Sequence, residues 1–391
     1  MSTTGATESY GEPACSVSDP KSQLYSVSRV PPRGVRSSAP TGGTTTLTQL
    51  REASRRVAAS RLGVAIVCGL VVASYIAVSY AVRLPPGEAH DFTVHWHAAR
   101  ALLNGENPYE SLHIGSRTIY SGRYYYPLTA TLLAVPVAWL PLKASAAVFS
   151  AVGATLFAYA LGRERWRVAA LLSAPMLSTA AAGQNTAYVA AAAFMPALGW
   201  LIAIKPNVGL AVFAMRPSRA TVLGVLLFVA VSLAISPSWP REWLRAVNND
   251  LGMHTAPVSL WGGPVMLLAL ARWRRPEARL LATLSLVPHT MTWYDALPLM
   301  LIPATFRELL VLGIISHLAT FIAVPLGLRY DGAALLAASA PIALWGLYVP
   351  ALVLVMRRPN EGDLPEWLER LASKLPGPIR GVRSSSVPIA T

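Results

Sequence analysis

The stretch LGVAIVCGLVVASYIAVSYAV, Leu62–Val82, decides the fold of this chain. Its 21 residues carry no charge, and Arg61 and Arg83 bound it. A helix needs about 20 consecutive apolar residues to cross a bilayer. Basic residues next to a span favour the cytoplasmic side. Three more precede this one: Arg51, Arg55 and Arg56. The sequence therefore predicts an uncleaved membrane anchor with a cytoplasmic N-terminus.

The composition extends this prediction to most of the chain. Of 391 residues, 53% are hydrophobic and 13% are charged, whereas soluble proteins carry about 25% charged residues. Apolar runs rich in Leu, Ala and Val recur from Leu62 to Met356 without strand-like alternation, which indicates helices rather than a barrel. The net charge of +14 comes from short loops between the runs, where it suits lipid head groups and not nucleic acid.

The ends of the chain differ from this core. Residues 1–50 are rich in Ser, Thr, Gly and Pro, which predicts a disordered cytoplasmic tail. Residues 51–358 form the predicted membrane domain, and residues 359–391 a second cytoplasmic tail. In that tail, DLPEWLERLASKL predicts a short amphipathic helix on the membrane surface, with one apolar face made by Leu364, Trp367, Leu368 and Leu371. The two cysteines, Cys15 and Cys68, predict neither a disulfide nor a metal site, and no cofactor is expected.

We predict an all-α polytopic membrane protein of about 9–12 transmembrane helices, several of them short or broken. Short segments with Pro or Gly are tolerated at membrane depth only where they are buried or line a wet cavity. In strict alternation, the segment beginning at Tyr126 returns to the cytoplasm and Ala144–Leu161 crosses outward. The basic sequence Arg163–Arg167 is then expected outside.

A polar segment, DFTVHWHAARALLNGENPYE, follows the first span, and we predict that it forms a helical first extracytoplasmic loop. Asp91 is either a general base at the outer mouth of the bundle or a helix N-cap. His95 and His97 are two positions apart and do not share a helical face, so an interfacial pair is expected rather than a metal site. Gly105 is a natural helix end.

Further polar islands interrupt the later apolar runs. Gln184 and Asn185 either break a helix to line a cavity or form a simple loop. Lys205 either extends its side chain to the interface or binds a phosphate. In PHTMTWYD, His289 either donates to an anion or belongs to a capped turn. The aromatic segments NPY and YYYP are also compatible with an interfacial belt.

The ordered set D…W…AR.LL.G.NPY, YYYPLTATLLAVPVAWLP, GQN, IKPN and PHTMTWYD resembles the GT-C membrane glycosyltransferases. The most similar pattern is that of glycosyltransferase family 87, the polyprenyl-phosphate-mannose-dependent mannosyltransferases of actinobacterial type. The resemblance extends from about Tyr75 to Pro303. It implies that Asp91 is the general base and that Lys205 and His289 bind the donor phosphate.

The resemblance also implies a reaction and a location. A hexose, expected to be mannose, passes with inversion from a polyprenyl-phosphate sugar to a glycolipid or glycan acceptor. The reaction takes place on the extracytoplasmic side of a bacterial plasma membrane, with both termini cytoplasmic. The remaining residues expected to line the cavity or bind substrate are His95, Asn107, Tyr109, Tyr126, Gln184, Asn185, Tyr294 and Asp295.

Two alternatives belong to other functional classes. Broken helices and buried polar groups also mark transport paths, so the chain could be a transporter or flippase of lipid-linked sugars. It could also be a GT-C-like protein without catalytic activity. An enzyme requires Asp91 to face the same cavity as Lys205 and His289, whereas a transporter needs no lone carboxylate at the outer mouth.

Overall fold

The computed structural model describes most of the predicted membrane domain. The described residues are 60–83, 91–112, 124–248, 254–327, 329–330, 332–362, 364, 369–370 and 373. All of them belong to one compact unit, Arg51–Thr391. The predicted N-terminal tail and three residues of the predicted amphipathic helix, Trp367, Leu368 and Leu371, lie outside the described residues.

Helices account for nearly all the regular structure of this part of the chain. The α-helices are α1 (Arg61–Arg83), α2 (Asp91–Leu103), α3 (Pro108–Ser111), α4 (Leu128–Ala134), α5 (Leu142–Leu161), α6 (Ala174–Ala182), α7 (Thr186–Ala192), α8 (Pro206–Met215), α9 (Arg219–Ile235), α10 (Trp239–Asn248), α11 (Pro276–Leu286), α12 (Phe306–Gly327), α13 (Gly332–Ala343) and α14 (Val349–Met356).

Several connections are themselves helical. The 3₁₀ segments are Val135–Val137, Arg165–Leu172, Pro196–Ile204, Pro257–Ser259, Gly263–Arg272 and Trp293–Leu301, and a π-helical turn, Leu344–Tyr348, joins α13 to α14. Within the described ranges the only β pairing is an isolated bridge between Thr255 and His289. The prediction of an all-α protein is therefore confirmed for these residues.

The membrane character of the fold depends on a few long apolar helices. Among the described residues, four helical stretches are long and apolar enough to cross a bilayer: Arg61–Ser79, Leu142–Leu161, Phe306–Gly327 and Ala333–Met356. Helices α9 and α10, bent by 97° at their junction, make a fifth if they count as one span. The predicted nine to twelve crossings and the GT-C-like arrangement stay predictions.

Helices α1 and α5 pack against each other in opposite directions. A side chain at Gly69 would come within 2.0 Å of the Thr155 hydroxyl, so glycine is what allows the backbones to approach closely here. At the start of α1, the Arg61 guanidinium donates to the Tyr159 carbonyl (2.6 Å) near the end of α5. The end of α5 therefore lies beside the start of α1.

This packing corrects one topological prediction. The basic sequence Arg163–Arg167 follows α5 directly and so lies on the same side as Arg61, not on the opposite side. The error arose at Leu128–Val137, which is only 10 residues long and therefore spans about 15 Å, half the hydrocarbon core. The Leu140 carbonyl, just after this segment and just before α5, accepts from the Trp96 indole of α2 (3.0 Å). Because α2 follows α1 in the chain, α5 starts on the side where α1 ends.

Basic side chains hold several chain segments together at this end of the bundle, which we call the arginine end. Arg167 donates to the Pro303 carbonyl (2.9 Å), just before α12. Arg358, just after α14, donates to the Ile302 carbonyl (3.0 Å) and pairs with Glu277 (2.8 Å) on α11. The start of α12 and the end of α14 therefore lie beside the end of α5.

The fold predicts that residues 104 and 164 lie on opposite sides of the membrane. Asn104 is exposed after α2, and Glu164 is exposed at the arginine end. In a Cys15→Ser/Cys68→Ala background, Asn104→Cys and Glu164→Cys should differ, with only one labelled in intact cells by a membrane-impermeant thiol reagent. Both should react after permeabilisation, and the cysteine-free parent is the control. Labelling of both in intact cells would contradict the antiparallel packing of α1 and α5.

Candidate active site

The Gly183–Gln184–Asn185 break forms a tight, buried turn between two helices. Helix α6 is capped by Gly183, whose φ of 63° is left-handed and favours glycine. The backbone N–H of Gln184 donates to the Thr179 carbonyl (2.9 Å). Helix α7 begins at Thr186. The turn thus places the amide side chains of Gln184 and Asn185 inside the bundle, where both are buried.

Gln184 connects three of the predicted site residues. Its Nε2 donates to Asp91 Oδ2 (2.6 Å) and to the Tyr126 hydroxyl (2.8 Å). Its Oε1 accepts from Lys205 Nζ (3.1 Å). The carboxylate of Asp91 and the ammonium of Lys205 are therefore separated by one side-chain amide.

Lys205 is buried and fully engaged. Its Nζ lies 2.6 Å from Asp295 Oδ1 and also donates to Thr186 Oγ1 (3.2 Å). Together with Gln184, these groups place three oxygen atoms around the ammonium, two as hydrogen-bond acceptors and one as the oxygen of an ion pair. The cation also lies 4.6 Å from the centroid of the Tyr294 ring. Removing two charges from water is costly, so each charge of this pair depends on the other.

Asp295 is held from its other side by Thr290. The Thr290 hydroxyl donates to Asp295 Oδ2 (2.6 Å), and its backbone N–H lies 3.3 Å from the same oxygen. Asp295 itself is only 1% exposed. The polar island PHTMTWYD therefore supplies the counter-ion of Lys205 together with the hydroxyl that positions it.

His289 lies in the same island, but both of its ring nitrogens are occupied. Nδ1 lies 2.8 Å from the Val287 carbonyl, which can only accept, so Nδ1 carries the proton. Nε2 then accepts from the Tyr348 hydroxyl (2.6 Å). Burial lowers the pKa of His289, although Asp295 acts in the opposite direction. The ring is therefore neutral and not poised to contact an anion, and its predicted phosphate role stays a prediction.

Asp91 is the first residue of α2 and is half-buried. Within the described chain, its carboxylate accepts from Gln184 and from no backbone amide of α2. An N-cap side chain would instead accept from the backbone N–H two or three residues further along the chain. The contact with Gln184 is therefore the interaction that orients this carboxylate.

Two side chains next to this contact are buried without any hydrogen bond. His95 is one helical turn from Asp91 on the same face of α2, is 1% exposed, and has its ring centroid 4.2 Å from that of Tyr126. Neither of its nitrogens has a partner, nor does either amide atom of Asn185. Burial, and then the charge of Lys205, lowers the pKa of His95 to about 3, so the ring is neutral. Buried polar groups are nearly always satisfied, so these two are the side chains beside the Asp91–Gln184 contact whose hydrogen bonding is incomplete.

Asn107 and Tyr109 lie farther out and serve the local structure. The Asn107 side chain caps the short helix α3 by accepting from the Tyr109 amide (3.1 Å), and its Nδ2 donates to Glu242 (3.1 Å). The Tyr109 hydroxyl donates to the Tyr126 carbonyl (2.8 Å). These two residues support the segment that carries Tyr126 and have no contact with Gln184 in the described chain.

Sequence reasoning missed three members of the network: Thr186, Thr290 and Tyr348. Thr186 directly follows GQN, and Thr290 lies inside PHTMTWYD, so adjacency to the polar islands could have suggested both. Tyr348 lies in an apolar run, and nothing in its sequence context distinguishes it.

Within the described residues there is no group of three or more His, Cys, Asp or Glu side chains that could hold a metal ion.

Comparisons of the chain with protein-family models, with curated proteins and with solved structures find no match.

The buried ion pair gives a stability prediction. Lys205→Met should lower the free energy of unfolding by about 3–5 kcal/mol, because it leaves the Asp295 carboxylate buried without its counter-ion. The loss should be measured by denaturant unfolding of the purified protein in detergent. Lys143→Met, at an exposed lysine at the start of α5, is the matched control and should change stability little.

The double variant Lys205→Met/Asp295→Leu should lose less stability than the sum of the two single variants, since it removes both charges together. Strictly additive losses would mean that the two side chains do not stabilise each other.

Proposed function

We propose that this chain is an integral membrane glycosyltransferase. It transfers a hexose, taken to be mannose from the resemblance to glycosyltransferase family 87, from a polyprenyl-phosphate sugar to a glycolipid or glycan acceptor. The observation that carries the proposal is the hydrogen-bonded unit of Asp91, Gln184 and Lys205. It holds a half-buried carboxylate and a buried cation at either end of one amide.

In the proposed reaction, Asp91 takes the proton of the acceptor hydroxyl. The acceptor oxygen forms a bond to the anomeric carbon of the donor sugar as the bond from that carbon to the phosphate oxygen breaks. Polyprenyl phosphate leaves with the electron pair, and the configuration inverts. A positioned cation stabilises the negative charge that develops on the leaving phosphate, which is the role assigned to Lys205.

The contacts of Lys205 limit how a phosphate can bind there. Its ammonium forms an ion pair with the carboxylate of Asp295 and donates hydrogen bonds to the neutral oxygens of Gln184 and Thr186. Charge-assisted hydrogen bonds are the stronger ones, so a phosphate oxygen would displace a neutral acceptor. Loss of the Gln184 contact would free its amide to turn toward Asp91 or the substrate.

The unpartnered groups next to Asp91 suit a sugar substrate. The neutral His95 ring offers one hydrogen-bond donor and one acceptor. The side-chain amide of Asn185 likewise offers an N–H donor and an oxygen acceptor. Sugar hydroxyls also donate and accept. Water alone could satisfy the same groups, but a site built to hydrogen-bond hydroxyls discriminates strongly against ligands that lack them.

The proposed orientation follows from the distribution of charge. Arg61, the basic sequence Arg163–Arg167 and Arg358 all lie at the arginine end. Excess Lys and Arg marks the cytoplasmic side of membrane proteins. The arginine end and both termini are then cytoplasmic, and Asp91 faces the extracytoplasmic side, in a bacterial plasma membrane.

A transport function is the second candidate, and the Lys205–Asp295 pair favours it. Ionisable pairs between short helices at membrane depth also mark substrate and ion paths. A transporter of lipid-linked sugars would move the donor across the bilayer without breaking its sugar–phosphate bond. A GT-C-like protein without activity would do neither.

Replacement of Asp91 separates the catalytic role from a structural one. Asp91→Asn keeps the size of the side chain and an oxygen that can accept from Gln184, but it removes the base. The transfer rate should fall about 10²- to 10⁴-fold with little change in unfolding temperature. Rates should be measured with purified protein and a labelled polyprenyl-phosphate sugar.

Glu106→Gln is the matched control for this variant, because Glu106 is an exposed carboxylate in the same outer segment. It should retain the wild-type rate. If Asp91→Asn also transfers sugar at nearly the wild-type rate, the catalytic base lies elsewhere.

A further inference from the structure

A polar cavity lies at the arginine end, away from Asp91. Its volume is about 760 Å³, and it is lined by the turn between α8 and α9, the start of α11 and the segment after α14. We call it the arginine-end cavity. Its polar and charged lining residues are Arg216, Ser218, Thr221, Arg275, Glu277, Arg279 and Glu361. What we infer about this cavity does not rest on the proposed function.

Most charges around this cavity are already compensated. Arg279 donates to the carbonyls of Ala214 (2.8 Å) and Met215 (3.0 Å) and so joins α11 to the end of α8. Arg275 pairs with Glu277 (2.9 Å), which also pairs with Arg358 (2.8 Å). These groups form the walls of the cavity and leave little charge for a ligand.

Arg216 is different. Its side chain is exposed and lines the cavity. Among the described residues, its guanidinium forms no ion pair and no hydrogen bond, and it lies over the Phe194 ring, 4.7 Å from the centroid. Loss of hydration, and then the charges of Arg163 and Arg167, lower its pKa below the usual range, although Glu164 and Glu277 act in the opposite direction. The wall of the cavity therefore carries a positive charge that its neighbours do not neutralise.

The start of α9 adds to this field. Ser218 caps the helix by accepting from the Thr221 amide (3.0 Å), and both residues line the cavity. The N-terminal end of a helix carries partial positive charge. Helix α9 has 17 residues, long enough for this effect to be developed. An anion in the cavity would meet both Arg216 and the positive end of α9.

The surface next to the cavity indicates where such an anion comes from. From its first turns onward, α9 exposes large apolar side chains: Leu223 is 66% exposed, Leu226 60% and Leu227 68%. In a membrane this surface is covered by lipid chains. A phospholipid lying along α9 would therefore place its head group at the rim of the cavity.

We propose that the arginine-end cavity binds the phosphate head group of an anionic phospholipid, with Arg216 as the principal contact and the acyl chains along α9. Basic pockets between transmembrane helices are suited to anionic head groups. Glu361 also lines the cavity, and its negative charge disfavours a second anion there, which favours a head group with a single phosphate. Bound lipid would join the α8–α9 turn to the segment after α14.

The test is lipid binding by the purified full-length chain in detergent, followed as a rise in unfolding temperature. Phosphatidylglycerol should give a saturable rise in wild-type protein, whereas phosphatidylcholine should not. Arg216→Gln should weaken the apparent affinity for phosphatidylglycerol about tenfold or more, because it removes a charge-assisted contact. Arg216→Lys should keep part of the affinity.

Arg219→Gln is the matched control, since Arg219 is an exposed arginine three residues away that does not line the cavity. It should bind phosphatidylglycerol like the wild type. Equal losses in both variants would show diffuse surface attraction and overturn the proposal. A full response to inorganic phosphate alone, with no further effect of lipid, would overturn the lipid assignment. If Arg216→Gln does not fold, Arg216→Ala and Arg216→Lys take its place. An unchanged affinity for phosphatidylglycerol in either of these variants would overturn the proposal.

Discussion

The ion pair between Lys205 and Asp295 is the constraint on which the rest of the site depends. Both side chains are almost completely buried, and an unpaired charge at this depth would be strongly destabilising. The segment ending at Ile204 and the one beginning at Trp293 must therefore meet. Gln184 and Thr186 complete the hydrogen bonding of Lys205, so the turn after α6 is held at the same point.

This arrangement gives the two carboxylates of the site, Asp295 and Asp91, different surroundings. Asp295 is sealed in, with Thr290 and Lys205 as partners, and is unsuited to accept a proton from a substrate. Asp91 is half-buried, and among the described residues its carboxylate accepts only from the Gln184 amide. A base needs access to the hydroxyl it deprotonates. Of the two carboxylates in the network, Asp91 is therefore the one whose environment suits that role.

Sequence reasoning located the polar groups but not their pairing. Gln184, Lys205 and Asp295 each interrupt an apolar run, where a polar residue is costly and needs a reason to be present. Their partners are set by tertiary packing: Lys205 finds Asp295, while His289 is taken up by Tyr348, a residue hidden in an apolar run. The side assigned to Arg163–Arg167 was wrong because the ten residues of Leu128–Val137 are apolar enough to resemble a span but too short to be one.

The central claim is that the chain breaks the sugar–phosphate bond of a polyprenyl-phosphate sugar rather than moving the intact lipid. The most direct measurement reconstitutes wild-type protein in vesicles with polyprenyl-phosphate mannose labelled in the sugar, together with membrane glycolipids as acceptors. If the chain is a glycosyltransferase, the label should appear in an acid-stable glycolipid product while unlabelled polyprenyl phosphate accumulates in equal amount. Label that crosses the bilayer but remains entirely on polyprenyl phosphate would contradict it.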